Sequence, residues 1–216
     1  MMEKRCFSSG GCWESGFELS YKLAREQLAK MQDLREQCRK SGARCVEPEG
    51  IVLDYLNEQY HITVPDGEIS LSGSKGEVPL RDKILILHYF IMAKGTPATG
   101  KLIAYKQLMG GVSYFPAFSQ RAIAPFVRGF GRNPELLIEA AAQLGGHRTA
   151  LGDVSANINA FERVPVTLVL WRGDEEVAPN ANILFDANIS DYLSTEDITV
   201  LCETMVRRMI RGGRSA

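Results

Sequence analysis

The chain has 216 residues, 45% of them hydrophobic, with 25 basic against 26 acidic side chains and a net charge of −1. That balance excludes the basic excess by which a nucleic-acid or membrane-surface protein is known, and the length favours one domain with a decorated end. No apolar run reaches the roughly 18 residues that span a bilayer, and no apolar core follows the basic residues of MMEKRCFSSGGCWESG, so no membrane segment and a cytoplasmic location are the expectations.

Residues 1–13 read as a flexible tail. Cys6 and Cys12 within it have five residues between them and match no metal spacing. With Cys38, Cys45 and Cys202 they read as reduced thiols, and no metal site is expected. Phe17, Tyr21, Ala24, Leu28, Met31 and Cys38 form an apolar stripe from Glu14 to Lys40, which predicts one long amphipathic helix within residues 14–42, stopped by Ser41-Gly42. Such a helix docks on the domain or forms a seam with a second copy or a partner protein. Residues 45–211 are expected to make a single α+β domain.

Beyond this helix the period falls to two. IVLDYL (Ile51–Leu56) and QYHITV (Gln59–Val64) flank the turn Asn57-Glu58, then Pro65-Asp66-Gly67 turns into EISL, giving a small antiparallel meander. His61 on its second strand reads as an exposed partner of a cross-strand neighbour. Pro79 opens a helix running to about Lys94, apolar on nearly every side and therefore central. His88 lies inside it; a buried imidazole needs a hydrogen-bond partner, and the residue is either structural, a ligand, or a proton-transfer group.

The segment GTPATGKL, Gly95 to Leu102, falls one letter short of a phosphate-binding loop. Such a loop needs Ser or Thr after Gly-Lys to hold Mg²⁺, and should follow a strand and open a helix. Here Leu102 takes the hydroxyl position and a helix precedes, so the segment reads as a helix-to-strand turn. Asp186, ending ILFD, passes for the acidic partner of such a loop but equally for an ordinary strand-end residue.

GGVSYFPAFSQRAIAPFVRGFGR, Gly110 to Arg132, is the richest stretch. At about 100° per residue, Ile123, Phe126, Val127 and Phe130 share one helix face and Arg121, Arg128 and Arg132 the opposite one. Pro125 removes the bond to the carbonyl of Arg121, which predicts a kink or a later start. Then NPELLIEAAAQLGG (Asn133–Gly146) reads as a short helix, and strands are expected around Ile158–Phe161, Val164–Trp171 and Asn182–Asp186. STEDITVLCETMVRRMI predicts a final helix, with Ser194 and Asp197 as a capping box and Ile198, Leu201, Cys202, Met205 and Met209 facing the core. The basic end of that helix, RRMIRGGR, reads as a solvated terminus. The fold class is α+β: antiparallel strands in an N-terminal meander and a C-terminal sheet, packed with a central apolar helix and a C-terminal helix.

A functional reading gathers His88, Tyr114, Phe115, Phe118, Arg121, Trp171 and Asp186 around one cavity, the rings stacking on a small anionic guest and Arg121 pairing its carboxylate or phosphate. The same residues have a structural reading, with Trp171 and the phenylalanines as core.

FPAFSQRAIAPFV, with KILILHY, NPELLIEAA, RVPVTLVLWRGDEE, ANILFD and YLSTED, resembles an uncharacterised domain family found mainly in strict anaerobes, over about Ile51 to Met209. Some members are fused behind a four-cysteine iron–sulfur motif similar to that of corrinoid iron–sulfur proteins. The resemblance implies an accessory or cofactor-binding role near anaerobic one-carbon or corrinoid metabolism, with a corrinoid or other tetrapyrrole as the associated cofactor. This chain lacks the four-cysteine motif; it carries Ser194 where relatives have proline, and Asp191 at a variable position often filled by histidine. The resemblance supplies no catalytic residues. The alternatives are a transferase or hydrolase acting on a small anionic substrate, with His88, Asp186 or Glu196 in proton transfer, and an interaction module built on the N-terminal helix.

Overall fold

The computed structural model describes residues 11–46, 50–73 and 76–212, with side chains from Gly16 onward. Cys6 and the Cys12 side chain, and with them most of the tail read at residues 1–13, lie outside the described residues. Helix α1 spans Gly11–Ala29 and α2 spans Leu34–Ser41. The single helix predicted from Glu14 to Lys40 is thus two, because Asp33 accepts a hydrogen bond from the Glu36 amide at 2.9 Å and starts a new helix there. The apolar stripe docks: Ala24 and Leu28 are buried, and α1 lies along α3, spanning Leu80–Met92. Leu19 and Leu23 stay exposed on the other side.

The reading of every cysteine as a reduced thiol is corrected at one pair. Cys38 on α2 is bridged to Cys45 on strand β1 (Arg44–Val46), with Cα atoms 6.3 Å apart, because the chain reverses between them. Cys202 is a buried free thiol, as its place on an apolar stripe predicts.

Strands β2 (Gly50–Tyr55) and β3 (Glu58–Ile62) form the predicted hairpin with its turn one residue earlier, at Leu56-Asn57. Both residues have positive φ, 49° and 65°, the geometry whose twist matches paired strands. Leu56 is a poor residue for that backbone, and its side chain is 1% exposed in the core. Strand β4 is Ile69–Leu71. His61 is half-buried rather than exposed, opposite Val52 and Ser70, and its buried Nε2 has no partner among the described residues.

Strand β5 (Leu102–Ala104) follows the GTPATG turn. Then α4 (Gly111–Phe118), a π turn (Ser119–Ile123) and α5 (Ala124–Phe130) run on as one rod. Helix α6 (Leu136–Gln143) begins after Pro134 as expected, and β6 (His147–Thr149) is a strand the sequence did not announce. β7 (Val154–Phe161), β8 (Val164–Trp171) and β9 (Asn180–Asp186) are followed by α7 (Thr195–Gly212). The predicted capping box is present: Asp197 N donates to Ser194 Oγ at 3.1 Å, and Ser194 N donates to Asp197 Oδ2 at 3.3 Å.

Nine described strands make one antiparallel sheet in the order β4-β3-β2-β7-β8-β9-β5, with β1 beside β2 and β6 beside β7. The fold is therefore α+β, as expected. The meander joins the second half through a single register pair, Tyr55 with Phe161. Stacked rings reinforce that joint: Tyr55 lies 4.8 Å from Phe161, which lies 4.0 Å from Tyr89 on α3. Such pairs contribute roughly 0.5–1.5 kcal/mol each beyond area burial. Helix α2 closes the end of α3, where the Gln37 amide donates to the carbonyls of Phe90, Ile91 and Ala93.

Candidate functional site

Asp186 settles the fate of the GTPATGKL loop. Its carboxylate, at the end of β9, accepts from the Thr99 amide at 3.0 Å, the Thr99 hydroxyl at 2.8 Å, the Gly100 amide at 2.7 Å and the Asn188 amide at 3.0 Å. The amides that a phosphate loop would turn toward a nucleotide are spent on a side chain of the same chain. Burial pushes the Asp186 carboxyl up, but those donors outweigh it and hold the group below the usual carboxylate range. The segment is the turn that its failed context predicts.

Arg121 is the member of the proposed set that reaches a cavity of useful size. Pro125 has no N–H to give to the carbonyl of Arg121, and its ring would crowd that oxygen in a regular helix. The backbone widens instead into a π turn, closed by the Ala124 amide donating to Ser119 O. One extra residue rotates the upstream part of the rod by about 100° relative to the downstream part. Arg121 thereby leaves the exposed face of Arg128 and Arg132 and turns to α7, where Nε donates to Glu203 at 2.9 Å and Nη1 to Glu196 at 2.8 Å. Arg81 and Arg207 also bond Glu203. Burial lowers the pKa of the Arg121 guanidinium and the two glutamates more than restore it, so the charge is permanent.

Between the π turn and α7 lies a groove of about 420 Å³ bordered by Gln120, Arg121, Pro125, Glu203, Arg207 and Arg211, with Val206 and Ile210 as its apolar surface. Three guanidinium groups face one carboxylate along this lining. Gly129 lets α5 lie close: a Cβ there would come within 2.9 Å of Ile210 Cγ1. Nη2 of Arg121 has no acceptor among the described residues. The groove can therefore present guanidinium donors to a carboxylate or phosphate.

Of the seven predicted site residues, only Arg121 borders this groove. Phe118 is buried and stacked on Tyr105 at 3.9 Å, Phe115 is half-buried under Lys106, and Tyr114 is exposed. Trp171 is 39% exposed at the end of β8, opposite Asn180, and Asp186 serves the loop just described. His88 Nδ1 lies 2.8 Å from Asp197 Oδ1, clamping the first turn of α7 to α3. Ser194 bonds Asp197 rather than the imidazole, so the three do not form the relay of a serine hydrolase, in which the hydroxyl meets the histidine. Among the described residues no group of three or more His, Cys, Asp or Glu side chains is placed to hold a metal, and no helix is long and apolar enough to cross a membrane.

The groove residues that the sequence reading does not single out are on α7. Glu203, Arg207 and Arg211 recur every fourth position and, with Val206 and Ile210, mark one helix face. The basic end is therefore more than a solvated terminus, and that spacing is the signal that picks out its face.

A family described as a domain of unknown function, DUF3786, matches residues 33–208. The match takes in α2, earlier than the Ile51 start of the sequence resemblance. No curated protein and no solved structure matches.

Proposed function

We propose, for a chain that belongs to the DUF3786 family, that the domain binds a small molecule bearing a carboxylate or phosphate in the groove between the π turn and α7. The observation that carries this reading is the lining: the guanidinium groups of Arg121, Arg207 and Arg211 gathered around Glu203, beside an apolar strip of Val206 and Ile210. About 420 Å³ falls in the range of small-molecule sites. Charge-assisted bonds from guanidinium to an oxyanion are roughly twice as strong as neutral ones, and their planar geometry fixes orientation. Arg121 is half spent on Glu196 and Glu203, so the guest shares a guanidinium already held in place. That pre-organisation lowers the entropy lost on binding.

The corrinoid association adds no residue to this reading. The groove offers no His, Cys or Met side chain to the metal of a tetrapyrrole, and a smaller oxyanion suits its dimensions better. The enzyme alternative draws on His88, Asp186 or Glu196 for proton transfer, and each has a sufficient structural role: His88 meets Asp197, which caps α7, Asp186 closes the GTPATGKL turn, and Glu196 pairs with Arg121.

Calorimetric titration with inorganic phosphate and with succinate tests the proposal in the natural chain and in Arg121→Ala. The natural chain binds one of them saturably. Arg121→Ala loses at least tenfold in affinity while its melting temperature falls by no more than about 4 °C, since a partly exposed ion pair contributes about 1 kcal/mol. Absence of binding by the natural chain, or equal losses of stability and affinity in the variant, contradicts it.

A further inference from the structure

We propose that Cys45 is a thiolation site: a low-molecular-weight thiol exchanges with the Cys38–Cys45 bridge in the folded protein, and Cys45 is the sulfur that receives it.

The bridge is asymmetric. Cys38 is 5% exposed on α2, packed into the core, whereas Cys45 is exposed on β1. That strand lies at the margin of the sheet, with β2 as its strand partner among the described residues. Beside Cys45 opens a hollow of about 240 Å³ bordered by Leu34, Arg35, Val46, Gly50, Ile51 and Val64. Cys45 Sγ stands 3.5 Å from the Leu34 carbonyl oxygen, so the sulfur itself belongs to that wall. Exchange depends on which sulfur of a bridge an incoming thiolate can reach, and here access singles out Cys45. The hollow is smaller than the roughly 300–1,000 Å³ of sites that enclose a whole drug-sized ligand. It therefore takes the thiol-bearing end of a small molecule, whose methylenes lie against Leu34, Val46 and Val64 while the remainder stays in water.

The chemistry balances with the small thiol as the reductant. Its thiolate attacks Cys45 Sγ, a bond forms between those two sulfurs, and the Cys38–Cys45 bond breaks. The electron pair leaves on Cys38 Sγ, which takes a proton from water. A second thiol molecule then attacks the outer sulfur of the mixed disulfide and releases Cys45 as a thiolate. Two small thiols end as their own disulfide, and the bridge ends as two reduced cysteines. Cys202 stays outside this exchange, because burial pushes its thiol up and keeps it protonated. The fold survives the opening, since other bonds hold both ends. Gln37 still donates to the carbonyls of Phe90 and Ala93, the Tyr89 hydroxyl donates to Ser41 O at 2.5 Å, and β1 keeps its register pairs with β2.

Mass spectrometry of the full chain incubated with reduced glutathione, without denaturant and quenched with N-ethylmaleimide, tests the assignment. Arg39, Lys40 and Arg44 lie between the two sulfurs, so tryptic peptides separate them. The expected result is loss of the bridge in the folded chain, with the trapped glutathione adduct on the Cys45 peptide and cooperative unfolding retained afterwards. Cys38→Ser, in which no neighbouring thiol can reclose the bridge, keeps the adduct on Cys45 when treated with oxidised glutathione. Val46→Trp, which fills the hollow, slows the exchange at least tenfold at an unchanged melting temperature. Bridge loss that requires urea, an adduct on Cys38, no adduct on Cys45 in Cys38→Ser, or an undiminished rate in Val46→Trp overturns the assignment.

Discussion

Asp186 and Arg121 are both charged groups partly withdrawn from water, and their partners assign them opposite roles. Asp186 is 4% exposed and fully served by the Thr99, Gly100 and Asn188 donors, so it closes a turn and has nothing left for a guest. Replacing it with Ala strands three amides and a hydroxyl, which costs about 3 kcal/mol in a urea unfolding experiment. The pH dependence comes from the lowered pKa of the folded state. A depressed carboxyl stabilises the fold above the unfolded value of about 4, and that contribution is lost as pH falls through the folded value. The stability gap between the natural chain and Asp186→Ala therefore stays constant from neutrality to about pH 5 and narrows below about pH 4. A gap that widens in acid contradicts this account. The strand-end position of Asp186 is legible in ILFD, but its work is not, because Thr99 stands 87 residues away in sequence.

The helix bearing Arg121 shows what periodicity reads and what it misses. A uniform 100° step places Arg121 with Arg128 and Arg132, and it is correct for α7, whose apolar stripe is buried as predicted. It fails across Ser119–Ile123 because a single added residue breaks the phase there. Pro125 is the visible warning, and by itself it implies a kink or a late start. The structure takes a third course, a wider turn that keeps the rod continuous. Pro125→Ala tests the cause. With the N–H restored the rod returns to regular α geometry, and Arg121 rotates away from α7. A double-mutant cycle between Arg121 and Glu203 then falls from about 1 kcal/mol toward zero while overall stability changes by no more than about 1 kcal/mol. An undiminished coupling would show that packing against α7 sets the turn. The break between α1 and α2 has the same character: the stripe continues past Asp33, but a side-chain oxygen at one position resets the helix.

Over the whole molecule, the division into meander, central helix, later sheet and final helix is readable from alternation, turn residues and caps. The short strands β1 and β6 are not, since neither follows a recognised turn that would announce three residues as a strand. Nor is the joining of the two strand sets, which depends on Tyr55, Phe161 and Tyr89 meeting across long sequence separations. The expected single cavity fails for a related reason: aromatic side chains such as Phe118 that look like a ligand platform in sequence are what a core of this size needs. What survives is one guanidinium, moved by a π turn to a helix whose own arginines complete a positive groove. Backbone amide spectra titrated with inorganic phosphate test that claim most directly. Saturable shifts centred on Gln120, Arg121, Val206, Arg207 and Ile210, with Trp171 and Asp54 unmoved, are the predicted result; no saturable shift, or shifts centred elsewhere on the fold, would contradict it.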